Sequence, residues 1–266
     1  MARARYGFGG RAVLITGGGG DIGRATARRF AADGAAVVLL DADASKLAAA
    51  AEELEELGAA HRAVTCDVTD AASVDDAFAA VVADLGRVDF VFNNAGYQGV
   101  FAPTHAYPAD DFRKVIDVNV VGAYNVLATS ARHLRAAGGG AIVNTASHAG
   151  VEGPPNMLAY GASKAAVIAM TETAAKDLAP YGVRVNAVSP ALIGPGYMWT
   201  RQTELQAATG SQYFAPDPAR VREQMLATVP LRRLGTLEEV ANAVAFLMSD
   251  EASYVTGFNL EVTGGV

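Results

Sequence analysis

AVLITGGGGDIG (residues 12–23) joins an apolar, β-branched run to a string of glycines and then an acidic residue. The run reads as a buried strand, and the residues from Asp21 onward open a helix. In that setting small residues let backbone N–H groups approach a pyrophosphate at the helix amino terminus, which makes the turn a candidate dinucleotide site. A plain flexible turn would require neither the strand before it nor the helix after it.

Outward from this turn, short β-branched runs recur at 36–41, 61–67, 88–94, 141–147, 183–189 and 258–263. Between them lie alanine-rich stretches with helical periodicity, such as 45–57 and 71–85, and Gly34, Gly58 and Gly86 stand at helix-stop positions. Strand and helix alternate, and the strands are apolar throughout instead of alternating with polar residues. The expected fold is therefore α/β, a single Rossmann-type doubly wound domain with a seven-stranded parallel sheet covered on both faces. No linker, charge block or repeat interrupts residues 1–266, which are read as one dinucleotide-binding and catalytic domain. The rhythm breaks at about 190–228, a stretch rich in aromatics, glycine and proline where a substrate lid would sit.

With 266 residues, 51% of them hydrophobic, the chain can bury a large core; its formal charge of −7 offers no basic surface to nucleic acid or anionic membrane. Cys66 is the single cysteine, so no internal disulfide is possible, and His61, His105, His133 and His148 lack metal-ligand spacing. The amino end has an apolar run too short for a signal peptide. An untargeted cytoplasmic protein without a metal is expected.

Asp41 ends the second strand, close to the distance from the glycine turn expected of a carboxylate that holds adenosine ribose hydroxyls. It would repel a 2′-phosphate, and neither Gly20 nor Ala42 supplies a cation to hold one, so the expected cofactor is NAD and not NADP. In LAYGASKAA (158–166), Tyr160 and Lys164 fall one helical turn apart on one face amid small residues. A phenol with an ordinary pKa near 10 is a poor base at neutral pH. An ammonium about 6 Å away, at an effective dielectric near 20, favours the phenolate by about 3 kcal/mol, or about two pKa units. Desolvation opposes this on both groups. Charge attraction is expected to win.

With TGGGGDIG (16–23), NNAG (93–96), DVNVVGAY (117–124), IVNTAS (142–147) and YGASK (160–164) in this order, the chain resembles the short-chain dehydrogenase/reductase family from about Arg11 to its end. The resemblance implies an oxidoreductase, a homotetramer as is usual in the family, and a catalytic set at Asn119, Ser147, Tyr160 and Lys164. Ser147 would hydrogen-bond the reacting oxygen, and Asn119 would hold water connecting Lys164 to solvent. It further implies cofactor contacts from Gly17, Asp21, Ile22, Gly23, Asp41, Asp67, Val68, Asn94, Ala95, Gly96, Tyr160, Lys164, Pro190 and Ile193. Asp67 would meet the adenine amino group, and Ile193 would lie near the nicotinamide. Two positions depart from the family pattern: Asp21 stands where a glycine is usual, and Ala191 follows Pro190 where glycine is frequent. A carboxylate beside a pyrophosphate is unfavourable unless it turns away, so Asp21 is expected to act as an acceptor at the start of its own helix.

Segments 92–103, 153–164 and 194–214 resemble the bacterial NAD-dependent polyol dehydrogenases of the family, which oxidise a secondary hydroxyl of a polyol such as xylitol to a ketose. Substrate contacts are accordingly expected from Gln98, Ser147, His148 and Asn156, with Tyr197, Met198 and Trp199 as an apolar lid wall and Gly194 and Gly196 as hinges. A site built to bond hydroxyls rejects analogues that lack them. The alternatives are an NAD(H)-dependent reductase of cyclic or hydrophobic ketones or of 3-oxoacyl groups, and a catalytically silent dinucleotide sensor on the same fold. The complete tetrad speaks against the sensor.

Overall fold

The computed structural model describes residues 4–266; expectations that fall on residues 1–3 lie outside the described residues. Strand β1 (Ala12–Thr16) leads into α1 (Asp21–Ala31), β2 (Ala36–Asp41), α2 (Ala44–Glu56), β3 (His61–Thr65), α3 (Ala71–Leu85) and β4 (Phe90–Asn93). Then come α4 (Ala109–Ile116), a π-helical turn at Asp117–Gly122, α5 (Ala123–Ala137), β5 (Gly140–Thr145), α6 (Leu158–Leu178) and β6 (Val183–Pro190). The irregular stretch after β6 folds into α7 (Tyr197–Ala208) and α8 (Pro218–Thr228), and α9 (Leu237–Met248) and β7 (Asn259–Val262) complete the order.

All neighbouring strands pair in parallel, in the order β3-β2-β1-β4-β5-β6-β7. This is the expected doubly wound seven-stranded sheet. Alternate side chains of β1 serve its two faces. Val13 and Ile15 join Phe30 of α1, Leu54 of α2 and Leu247 of α9 in one core. Leu14 joins Phe78 of α3 and Val126 of α5 in the other. Each such side chain, fully buried, contributes roughly 1.5–3 kcal/mol, which is why the strands read as continuous apolar runs.

Helix boundaries follow local chemistry. Asp43 caps α2 by accepting from the Ser45 and Lys46 N–H groups, and Thr236 with Glu239 forms a reciprocal capping box on α9. Gly86 ends α3 in a left-handed conformation (φ 74°). β3 stops at Thr65, short of the run read from sequence, because Asp67 folds back onto its own turn. Among the described residues no helix is long and apolar enough to cross a membrane.

Candidate active site

In a parallel sheet the carboxyl ends of all strands open on one edge, and ligands bind where the winding reverses, here between β1 and β4. The turn after β1 meets the loop after β4 closely. Gly17 is left-handed (φ 63°), and a Cβ on it would stand 2.9 Å from Ala95 Cα; a Cβ on Gly23 would collide with the Gly17 carbonyl. Only bare backbone fits. α1 starts with Gly20 as its N-cap and no side-chain cap, so its first N–H groups remain available to an anion. Asp41 stands beside this turn with its carboxylate held by the Gly19 and Asp43 N–H groups, each at 3.0 Å. A glycine cradle, an uncapped helix start and an oriented carboxylate fit a dinucleotide.

The floor beneath is a layer of amides and hydroxyls that the sequence reading largely missed. Asn94 Nδ2 donates to the Thr16 carbonyl at 3.1 Å, and Thr145 Oγ1 donates to Asn94 Oδ1 at 3.1 Å, which ties the ends of β1, β4 and β5 together. Below them Asn93 Nδ2 donates to Asn144 Oδ1 (3.0 Å), whose own Nδ2 donates to Thr171 Oγ1 (2.9 Å). Asparagines inside otherwise apolar strands were the available signal. At the end of β3, Asp67 Oδ1 accepts from the Thr69 N–H and hydroxyl, while Val68 is buried and its carbonyl accepts from Asn125.

Tyr160 and Lys164 lie in the first two turns of α6, with Lys164 Nζ 5.7 Å from the Tyr160 ring centroid. Tyr160 is hydrogen-bonded to Ser147. Ser147 Oγ also accepts the Ala149 N–H (3.2 Å) and faces the Pro190 carbonyl at 3.4 Å. Lys164 is buried and donates to the Thr145 carbonyl at 2.6 Å. A Cβ on Gly96 would lie 3.4 Å from Asn119 Oδ1 and 3.6 Å from Lys164 Nζ, so these residues share one corner. Ser147, Tyr160, Lys164 and Asn119 are thus brought together.

One physical expectation about this group is corrected. Charge attraction does not win in the protein itself: burial pushes the Tyr160 phenol up, against the Ser147 hydrogen bond, and takes Lys164 down to about 8. The ammonium is seated on a neutral carbonyl and is almost wholly out of solvent. Asn119, on the π-helical turn, has its side chain committed to protein: Oδ1 accepts the Tyr97 N–H (2.7 Å), and Nδ2 donates to the Tyr97 carbonyl (2.9 Å) and to Ser163 Oγ (3.0 Å). It positions the loop after β4, and its amide is already shared among these partners.

Asp21 also differs from expectation. It is the first residue of α1, makes no cap there, and its Oδ2 accepts the Tyr197 N–H at the start of α7 (3.1 Å). The candidate substrate residues turn to α7 as well. Gln98 accepts from Arg201 (3.0 Å) and donates to Gln202 (3.3 Å), and Asn156, left-handed at φ 69°, donates to Gln206 (2.9 Å). Gln202 and Gln206 are one turn apart on a single helix face, a spacing that could have been read. His148 Nδ1 pairs with Glu261 of β7 at 3.0 Å. Trp199 is buried, whereas Tyr197 is 70% exposed and Met198 is also exposed. Ile193 bridges to Gly235. Asp111, not foreseen, anchors the loop after β4 by accepting from Val100 N, Tyr97 Oη and Tyr107 Oη, each at 2.9 Å.

A family model described as enoyl-(acyl carrier protein) reductase matches residues 19–266. Levodione reductase of Leifsonia aquatica is 37% identical over 260 residues, 97% of this chain and 94% of that protein. The chain belongs to the short-chain dehydrogenase/reductase family. It is an oxidoreductase of that family. Another short-chain dehydrogenase/reductase, the cis-4-hydroxycyclohexanecarboxylate dehydrogenase of Sinomonas cyclohexanicum, is 41% identical over 97% of both chains. Among solved structures, the crystal structure of NAD+-bound xylitol dehydrogenase superposes with a TM-score of 0.96 at 53% identity, covering 97% of this chain and 99% of that one.

Proposed function

We propose that this protein is an NAD-dependent dehydrogenase that interconverts a secondary alcohol and a ketone, with a small polyol such as xylitol oxidised to a ketose as its reaction. The observation that carries the chemistry is the Tyr160–Ser147 hydrogen bond beside buried Lys164, on the sheet edge where the glycine turn opens. The likeness to a xylitol dehydrogenase over nearly the whole chain supports the substrate.

Bound in this groove, NAD supplies a hydride acceptor and, when oxidised, a positive ring. The Asp41 carboxylate, oriented by two N–H groups, would hold ribose hydroxyls. Gly17, Ile22 and Gly23 leave the pyrophosphate path open, and Asp67, Val68, Asn94, Ala95, Gly96, Pro190 and Ile193 line the remainder of the groove. Ser147 Oγ turns its proton from the long contact with Pro190 to the substrate oxygen and sets that oxygen against the phenol. Tyr160 takes the hydroxyl proton during oxidation and returns it during reduction. Its place in the first turn of α6 favours the phenolate through the helix dipole, and Lys164 adds its charge. Together these must offset the burial that holds the phenol up.

We infer that the segment at 190–228 acts as a lid, that the unit is a homotetramer, and that it works in the cytoplasm; family habit and the single cysteine support the last two. Substrate hydroxyls would bond Gln98 and Asn156, in exchange with or beside their lid partners. A panel of polyols and apolar cyclic alcohols, followed by NADH absorbance, tests the reading. Polyols should support NADH formation, and Gln98→Ala and Asn156→Ala should raise KM for them. No rate with any polyol, beside a brisk rate on cyclic alcohols such as the Leifsonia and Sinomonas relatives suggest, would replace the substrate and leave the dehydrogenase assignment in place.

A further inference from the structure

Asp21 puts a charged side chain where the family pattern has a glycine, and α1 does not use it. The carboxylate reaches across 176 residues of sequence to the Tyr197 N–H, the first residue of α7. It therefore sits at the amino ends of two helices at once, α1 and α7, and neither has a side-chain cap of its own. Both ends present unpaired N–H groups and the positive end of a helix dipole, so an anion between them is favoured by both. Gly196 makes the room: a Cβ there would stand 2.7 Å from Asp21 Oδ2. The Gly196 backbone is extended (φ 163°), so it is the neighbouring carboxylate, and not an unusual conformation, that requires glycine. The other polar ties of α7 lie further along it, Arg201 and Gln202 to Gln98 and Gln206 to Asn156. Asp21 fastens its first turn, and it does so from the glycine turn.

We propose that Asp21 is a positioning residue that straps the first turn of the lid to the glycine turn, across the groove that takes the cofactor pyrophosphate, so that cofactor release requires the Asp21–Tyr197 bond to break. The proposal rests on the assignment of NAD to this groove, and its test has a readout independent of NAD. Trp199 is the sole tryptophan of the chain, buried, two residues into α7, and its fluorescence reports the state of that first turn.

Asp21→Gly removes the acceptor. Gly196→Ala displaces the acceptor by sterics while keeping its charge. Asp21→Asn keeps an acceptor oxygen without the charge. In the cofactor-free protein, Asp21→Gly and Gly196→Ala should make Trp199 more accessible to iodide quenching, with circular dichroism confirming that the fold is retained, and Asp21→Asn should restore most of the wild-type protection. In stopped-flow displacement, the first two variants should release NADH about tenfold faster, the scale expected for loss of a hydrogen bond to a charged group. Wild-type quenching in both Asp21→Gly and Gly196→Ala would overturn the strap. So would equal behaviour of Asp21→Asn and Asp21→Gly, since charge and not the bond would then be acting. A wild-type protein that binds no NADH would refute the cofactor reading, with the quenching comparison still deciding whether the strap exists.

Discussion

Replacing Lys164 by methionine should make the protein more stable at neutral pH while destroying its activity. Burial takes the Lys164 ammonium from its ordinary 10.5 down to about 8. Folding at neutral pH therefore carries a cost of about 3 kcal/mol for keeping that group charged, at about 1.4 kcal/mol per pKa unit. Methionine fills the same channel with an unbranched apolar chain and gives up the hydrogen bond to the Thr145 carbonyl, a loss of about 1 kcal/mol. The net gain is about 2 kcal/mol. Its pH dependence has a definite sign. A lysine whose folded pKa is lowered destabilises fully below about 8, and the cost fades as pH rises toward 10.5, because only the unfolded chain still binds the proton there. Urea titrations of both proteins across this range should show the variant ahead at neutral pH, the gap closing above 8, and the variant behind by about 1 kcal/mol near 10.5. Turnover and NADH affinity should both fall. A variant less stable than wild type at neutral pH, or a stability gap that ignores pH, would refute the reasoning.

Tyr160→Phe should leave NADH binding nearly intact and cut turnover by several orders of magnitude, because only the proton-transferring oxygen is lost; a fluorescence titration beside initial rates checks both halves. Retained turnover would remove Tyr160 from that role. Asp41→Ala should weaken a strong preference for NAD over NADP, since it removes both the ribose acceptor and the repulsion of a 2′-phosphate. Equal kcat/KM for the two cofactors in the wild type would contradict the role given to Asp41.

The sheet was legible because each strand carries its own signal: β1, β2 and β6 occupy almost the residues read from their apolar runs, and Asp41 stands at the end of β2 as expected. The spacing of Ser147, Tyr160 and Lys164 was equally local, since one strand end and one helix hold all three. What stayed hidden depends on partners distant in sequence. Nothing near Asp21 announces Tyr197, and nothing near Asn156 announces Gln206. The balance at Tyr160 and Lys164 was misjudged for a related reason, because the burial of Lys164 and its seat on the Thr145 carbonyl are properties of the assembled site and not of a helical turn. His148 was expected near substrate from its place on the loop after the fifth strand, and nothing near it in sequence announces Glu261 on the edge strand, which its Nδ1 meets.

The π-helical turn at Asp117–Gly122 is continuous with α4 before it and α5 after it, so these segments form one rod with a widened coil in its middle. On that rod Val115 lies in the buried interior, Asn119 reaches the corner shared with Lys164, and Asn125 grips the Val68 carbonyl. The π turn closes with about one residue more than an α turn, so deleting that residue would regularise the coil with Asn125 and Val126 kept near their places, and the change would fall on the turn that carries Asn119. The extra residue thus acts locally: the packing of the two ends of the rod does not need it, and its effect is to set Asn119 at the corner shared with Lys164.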